Sequence, residues 1–299
     1  MQPHPRKTLI TFIILLAVLD GVVWSFIVAP RPNADEFALY FLDVGQGDAA
    51  LATFPGDVQV VIDGGPPNGR LMTELARILP PYDRYIDLLV MTHPQLDHYG
   101  GLLDAVRDYR TGLFVTNGRR GETRAAEVIP EVLAETHTAA IALEAGDRVR
   151  YGDYRLDVLS PSATYLTTAD LNESGLVMLL TTPEGVRALY TADIGEKTET
   201  MLIERYKEGL RAQVLKVGHH GSKFSSSKRF LDAVRPHVAT IGVGKNSYGH
   251  PTSEALSRLR ATGAEVLRAD HHGTVKVIVE DGNLRVHADR FSSVSQNRK

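Results

Sequence analysis

Three apolar runs that read as buried strands end on titratable side chains: "LLVMTH" on His93, "ALYTAD" on Asp193, and "VLKVGHH" on His219 and His220. A carboxylate at the end of such a strand is costly to bury unless it is paired or held on a metal. The pattern therefore calls for a fold in which several strand ends feed one site. The first run continues as "THPQLDHYGG", which adds Asp97 and His98 immediately after His93. Pro94 biases His93 to extended geometry, so His93 is expected to close the strand, with Asp97 and His98 in a tight loop before the next helix. Two histidines and a carboxylate this close suggest a metal site, although Gln95 stands where another histidine would be most useful. Asp193 has a second reading, as the N-cap of the helix that follows it.

Composition narrows the chemistry. The chain has 299 residues and no cysteine, which removes disulfides, thiolate ligands and a cysteine nucleophile. Any metal must be held by imidazole and carboxylate, a ligand set that suits Zn, Mn, Mg or Fe. The apolar fraction of 43% is that of a globular protein with a sizeable core. Net charge is −3, so no global basic field advertises nucleic acid. Local recognition of phosphate by a metal and a few basic side chains remains open.

Residues 8–29 form a long apolar run behind Arg6 and Lys7, about the length of a bilayer-spanning helix. It is longer than a signal-peptide core and lacks an A-x-A cleavage site. The expectation is an uncleaved single-pass anchor in the cytoplasmic membrane, with a signal peptide as the alternative. The positive-inside rule puts residues 1–7 in the cytoplasm and the rest of the chain outside. Residues 30–36 read as a linker and 291–299 as a disordered tail.

Between them, 37–290 alternates short β-rich runs with turns and amphipathic helices. Each half opens on strands and adds helices late, with no strong linker between. This indicates one α/β domain of two packed sheets with helices outside. Adjacent residues on a strand face opposite sides, so only one of His219 and His220 is expected to be a ligand, and His219 is the first choice.

Taken together, "FLDVGQGDA" (Asp43, Gln46, Asp48), "VIDGG" (Asp63), "THPQLDHYGG", "LNESGLV" (Asn172), "YTADI" (Asp193), "LKVGHHGSKFSSS" and "NSYGHP" (His250) resemble the metallo-β-lactamase fold. Within that fold they resemble the hydrolase domain of the ComEC/Rec2 competence proteins. The resemblance implies an αββα sandwich with its metal site along one edge of the paired sheets. It implies His93, Asp97, His98, Asp193 and His219 as metal ligands, with Asp63 as a carboxylate that orients one of them. Asp43, Asp48, Gln95, Asn172, His220, Ser222 and Lys223 are expected around the site or against substrate. Gln95 and Asn172 depart from the binuclear pattern at one metal position. One firm divalent ion is therefore expected, Zn or Mn, with a second that is weaker or harder.

The function these features imply is metal-assisted hydrolysis of a phosphodiester, with DNA as one substrate. Asp97, Asp193 and His250 are the expected catalytic groups, the last as a proton donor to the leaving group. A single expected membrane helix cannot form a channel, so the chain is read as a free-standing surface hydrolase for which a separate membrane channel is one candidate partner. Two other readings stand beside this one. One is a non-catalytic or weakly metal-binding envelope module; the other is a hydrolase of a different ester, of the teichoic or phosphorylcholine type, or of a lactam.

Overall fold

The computed structural model describes residues 5–28, 36–121, 126–280 and 282–290. The expected linker over 30–35 and the tail over 291–299 lie outside the described residues, as do residues 1–4. Among the described residues, fifteen strands form two mixed sheets, one of eight strands and one of seven. The eight-stranded sheet runs, edge to edge, Asn283–Ala288, Val275–Glu280, Ala38–Phe41, Ala49–Phe54, Val58–Gly64, Tyr85–Val90, Arg110–Thr116 and Ala140–Ala142. The seven-stranded sheet runs Glu265–Arg268, Val238–Ile241, Val214–Lys216, Arg187–Tyr190, Val177–Thr181, Tyr154–Ser160 and Arg148–Tyr151.

The layering follows from strands that are apolar on both faces. In Val58–Gly64, Val60 and Ile62 enter the core between the sheets, while Val61 packs outward beneath helices. In Val177–Thr181, Met178 and Leu180 face that same central core, and Val177 and Leu179 face the opposite helical layer. A strand covered on both sides reads as a continuous apolar run rather than an alternating one. The result is the expected αββα sandwich, with one core between the sheets and one outside each.

Two local departures from expectation matter for the site. The helix after His93 begins at Leu96, not after His98, and runs to Asp108. Gln95 is extended, and Asp97 falls in the first turn, where a carboxylate is favoured by the helix dipole. Asp97 and His98 are thus placed by helical geometry. The strand leading to His219 stops at Lys216, and both histidines adopt left-handed backbone angles in a short 3-10 turn, Gly218–Gly221. Strand alternation therefore does not apply to this pair.

The N-terminal apolar run does form a helix, Pro5–Val28. Among the described residues, however, no helix is long and apolar enough to cross a membrane. The run is interrupted by Asp20. The structure gives no support to the single-pass anchor expected over 8–29, nor to the placement outside the membrane drawn from it.

The glycines that follow His98 are explained by packing. Gly101 donates its N–H to the carbonyl oxygen of Gly65 at 3.0 Å, and a Cβ on Gly101 would collide with the carbonyl of Gly64. A Cβ on Gly64 would in turn sit 2.5 Å from the backbone nitrogen of Leu102. The helix carrying Asp97 and His98 therefore lies directly on the strand end carrying Asp63. Gly101→Ala is expected to destabilise the fold by about 1–3 kcal/mol through overpacking, read as a lowered melting temperature. An unchanged melting temperature would show that the helix can move off the strand freely.

Candidate metal centre

The site forms where ends of both sheets meet. His93 follows Tyr85–Val90, Asp63 lies in Val58–Gly64, Asp193 follows Arg187–Tyr190, and His220 follows Val214–Lys216. Asp193 is buried, and its Oδ2 lies 3.3 Å from His98 Nε2 and 3.3 Å from His220 Nε2. Asp97 Oδ2 lies 3.2 Å from His220 Nε2. The alternative role for Asp193 does not hold, because the following helix, Glu196–Tyr206, is capped at Gly195. The Asp193 Oδ1 atom instead accepts the His219 backbone N–H at 3.1 Å.

Each imidazole is held from behind, which fixes its tautomer. His98 Nδ1 is 2.9 Å from Asp63 Oδ2. Asp63 also accepts the N–H and the hydroxyl of Thr92, each at 2.8 Å. With its hydroxyl proton committed to Asp63, Thr92 Oγ1 can only accept from His93 Nδ1, 3.0 Å away. The His93 Nε2 lone pair is thereby left open, and that atom is buried without a hydrogen-bond partner. His220 Nδ1 is 2.8 Å from the Gly242 carbonyl oxygen and 3.3 Å from Asp48 Oδ1. Asp48 is in turn closely paired with the buried Lys216 ammonium. Two carboxylates thus stand behind two histidines, the arrangement that orients metal-ligating imidazoles.

The described residues bring Asp48, His98, Asp193 and His220 together, with one ligand atom of each within 4.8 Å of the others. The two ring nitrogens of His220 face different partners, so its Nε2 joins Asp97, Asp193 and His98 while its Nδ1 keeps Asp48 behind it. His220 enters the cluster in place of His219, which is half-buried and stacked edge-on against His250 at 5.5 Å. The left-handed turn is the physical cause of the exchange. Asp43 is not brought to the cluster; it makes ion pairs with Arg70 at 3.2 Å and Arg290 at 2.8 Å. Ser222 is buried beside the histidine turn, where its hydroxyl accepts the Phe224 N–H at 3.3 Å, and Lys223 is exposed.

Electrostatics fit a cation. Burial opposes the charge on Asp193, yet His220 and His98 hold its carboxyl well below the usual range. Asp97 is likewise held down by its hydrogen bond from His220 and by the charge of His98, against burial. Conversely, Asp193 with Asp63 raises His98, and Asp193 with Asp48 raises His220, both against burial. Four carboxylates face one ammonium here, so the remaining positive charge must come from imidazolium protons or from a bound ion. His93 differs: burial and the charge of His98 push it down to about 3, which keeps it neutral as a ligand must be.

The second position is thinner. The Gln95 amide lies near enough to His93 to bias its titration. Asn172 starts a short 3-10 turn, and its Oδ1 is buried without a partner. The segment after it is tied to the His93 strand by the Leu176 N–H, which donates to the Thr92 carbonyl at 3.0 Å. Thr92 and Lys216 escaped sequence reasoning; a lysine inside the apolar run "VLKVG" was the available signal.

Residues 42–245 match the Metallo-beta-lactamase superfamily. The chain is 29% identical over 264 residues to ComE operon protein 3 of Bacillus subtilis, covering 81% of this chain and 33% of that protein. It is 29% identical over 267 residues to competence protein ComA of Neisseria gonorrhoeae, covering 86% of this chain and 35% of that one. It thus spans about a third of the length of these relatives. The structure of Igni18, a metallo hydrolase from Ignicoccus hospitalis, superposes with a TM-score of 0.54 at 16% identity, covering 80% of this chain and 98% of that one.

Four substitutions test this site. His220→Ala is expected to lose the bound ion after Zn or Mn reconstitution, and His219→Ala to retain it; metal analysis of both decides which histidine is the ligand. Asp63→Ala is expected to weaken metal affinity by about 10- to 100-fold. Lys216→Met leaves the Asp48 charge buried and unpaired, and is expected to cost about 3–5 kcal/mol in chemical denaturation.

Proposed function

The chain belongs to the metallo-beta-lactamase superfamily, and from that premise we propose that it is a metal-dependent hydrolase of phosphodiester bonds, with DNA among its substrates. The observation that carries the reading is the shared carboxylate of Asp193, 3.3 Å from the Nε2 atoms of both His98 and His220. Asp97, His98, Asp193 and His220 would hold one divalent ion, Zn or Mn, and His93 with Asn172 would offer a second, weaker position. A bound ion of this kind lowers the pKa of water to about 7 and so supplies a nucleophile at neutral pH.

The chain's own residues do the rest. Asp63 keeps the Nδ1 proton of His98, and the Gly242 carbonyl oxygen keeps that of His220 with Asp48 alongside, so both Nε2 atoms face the reaction site. Thr92 does the same for His93. His250 is half-buried, and burial together with His219 and His220 lowers its pKa. The lowered pKa favours the neutral imidazole, a form that can accept a hydrogen bond from substrate. Amide ligands at the second position favour a harder ion there than Zn.

Similarity to the competence proteins favours a phosphodiester over a lactam. The test is hydrolysis of bis-p-nitrophenyl phosphate, single-stranded DNA and nitrocefin side by side, with Mn and with Zn. Turnover of the first two and none of nitrocefin is expected. Asp97→Ala should abolish that turnover, and Gln95→His should raise Zn occupancy. Less than about half an equivalent of bound metal, with no turnover of any ester, would sink the enzyme reading and leave a binding module.

A further inference from the structure

Among the described residues of 36–290, the two most exposed large apolar side chains are Tyr248, 74% exposed, and Phe224, 68% exposed. Neither sits at random. Phe224 lies four residues after His220, and Tyr248 two before His250. Leu96, 46% exposed, stands beside Asp97 at the start of the helix that carries His98. An exposed ring on a mobile loop would gain little from any contact, because ordering it costs entropy. Here both loops are fixed in advance. The Arg258 guanidinium donates to the carbonyls of Ser226 at 2.8 Å, Ser225 at 2.8 Å and Lys223 at 3.0 Å, clamping the Phe224 loop. The Asn246 side chain donates to the carbonyls of Gly244 at 2.9 Å and His250 at 2.8 Å. Its Oδ1 accepts the N–H groups of Tyr248 at 3.0 Å and His250 at 3.1 Å, clamping the Tyr248 loop.

The rings also lead inward. Tyr248 lies 6.0 Å from the His250 ring, His250 5.5 Å from His219, His219 6.2 Å from His220, and His220 5.5 Å from His98. The loops carry cations at the same place. Lys223 Nζ sits 5.0 Å above the Phe224 ring, and Lys245 is exposed three residues before Tyr248. Rigid exposed rings flanked by ammonium groups match a polymer with flat, uncharged faces on an anionic backbone. We propose that Phe224 and Tyr248 form a stacking platform for unpaired nucleobases, which positions a single-stranded nucleic acid with a backbone phosphate at the metal cluster.

This inference rests on the phosphodiesterase reading and sets its specificity. A teichoic-type polyol phosphate has the charge but no ring to stack, and a duplex hides its bases. Base–aromatic stacking is sequence-tolerant, so the platform discriminates strandedness rather than sequence.

The test uses the full chain, reconstituted with Mn, and a hydrolysis-resistant phosphorothioate single strand containing 2-aminopurine. An abasic strand of equal length and the matching duplex are bound in parallel. The protein is expected to quench 2-aminopurine and to bind the ordinary strand about tenfold or more tightly than either control. Loss of stacking weakens binding by about 5- to 150-fold per ring. Phe224→Ala/Tyr248→Ala is therefore expected to abolish both the quench and the preference while keeping its bound metal. Equal binding of ordinary and abasic strands, or a preference that survives the double substitution, would overturn the platform even if bis-p-nitrophenyl phosphate is hydrolysed. Quenching and preference without any ester cleavage would leave the platform standing and remove the hydrolase reading.

Discussion

The Asp193 carboxylate is the contact on which the site depends. It lies at the end of a strand in the seven-stranded sheet, and its Oδ2 is equidistant from His98, delivered by the helix on the other sheet, and His220, delivered by its own sheet. A buried carboxylate with no compensation would cost several kcal/mol. Its position is tolerable only if the two imidazoles arrive on either side, so the geometry of the sandwich and the electrostatics of the site are one problem. The Gly64–Gly101 contact brings the His98 helix down to the required depth. The left-handed turn at Gly218–Gly221 swings His220 in from the other side. Asp63 and Asp48, two further buried carboxylates, then hold the rings from behind.

Much of this was legible in the sequence, and the reason is physical. Apolar strands that end on His or Asp announce a site because such residues do not otherwise sit there. Two packed sheets with helices outside were legible from halves that each open on strands and add helices late, and the αββα order from the family resemblance. Asp63, which the family resemblance implied as a carboxylate that orients a ligand, lies 2.9 Å from His98 Nδ1. What could not be read was the direction of side chains where the backbone leaves regular geometry. His219 was preferred over His220 on strand alternation, but the strand ends at Lys216 and alternation ends with it. Asp43 sits in the same motif as Asp48, yet only the three-dimensional path sends one to Arg70 and Arg290 and the other to Lys216 and His220. The N-terminal run shows a different limit, since apolar length alone did not establish a membrane span.

The inequality of the two metal positions has a similar logic. Gln95 caps the helix that carries Asp97 and His98, so a change there alters a ligand without disturbing the helix. Asn172 Oδ1 is buried without a hydrogen-bond partner among the described residues. His93 remains neutral and open at Nε2 because Thr92 holds its other nitrogen. The second position proposed for them is therefore weaker in ligands than the first. A site in that condition selects for ions that accept oxygen, and its occupancy depends on which metals surround the protein.

The arrangement also separates rate from recognition. The groups that face the reaction are buried and cross-braced, so their geometry is set before substrate arrives, the condition under which fixed dipoles and charges are most effective. Recognition falls to the exposed rings of Phe224 and Tyr248, which lie beside the cluster but do not hold it. Loops anchored at one end by a metal ligand and clamped by Arg258 or Asn246 can change their exposed residues without moving the ligands. A fold organised this way can keep one hydrolytic centre while its substrate is set by a few exposed side chains, and fold similarity alone consequently says little about what is bound.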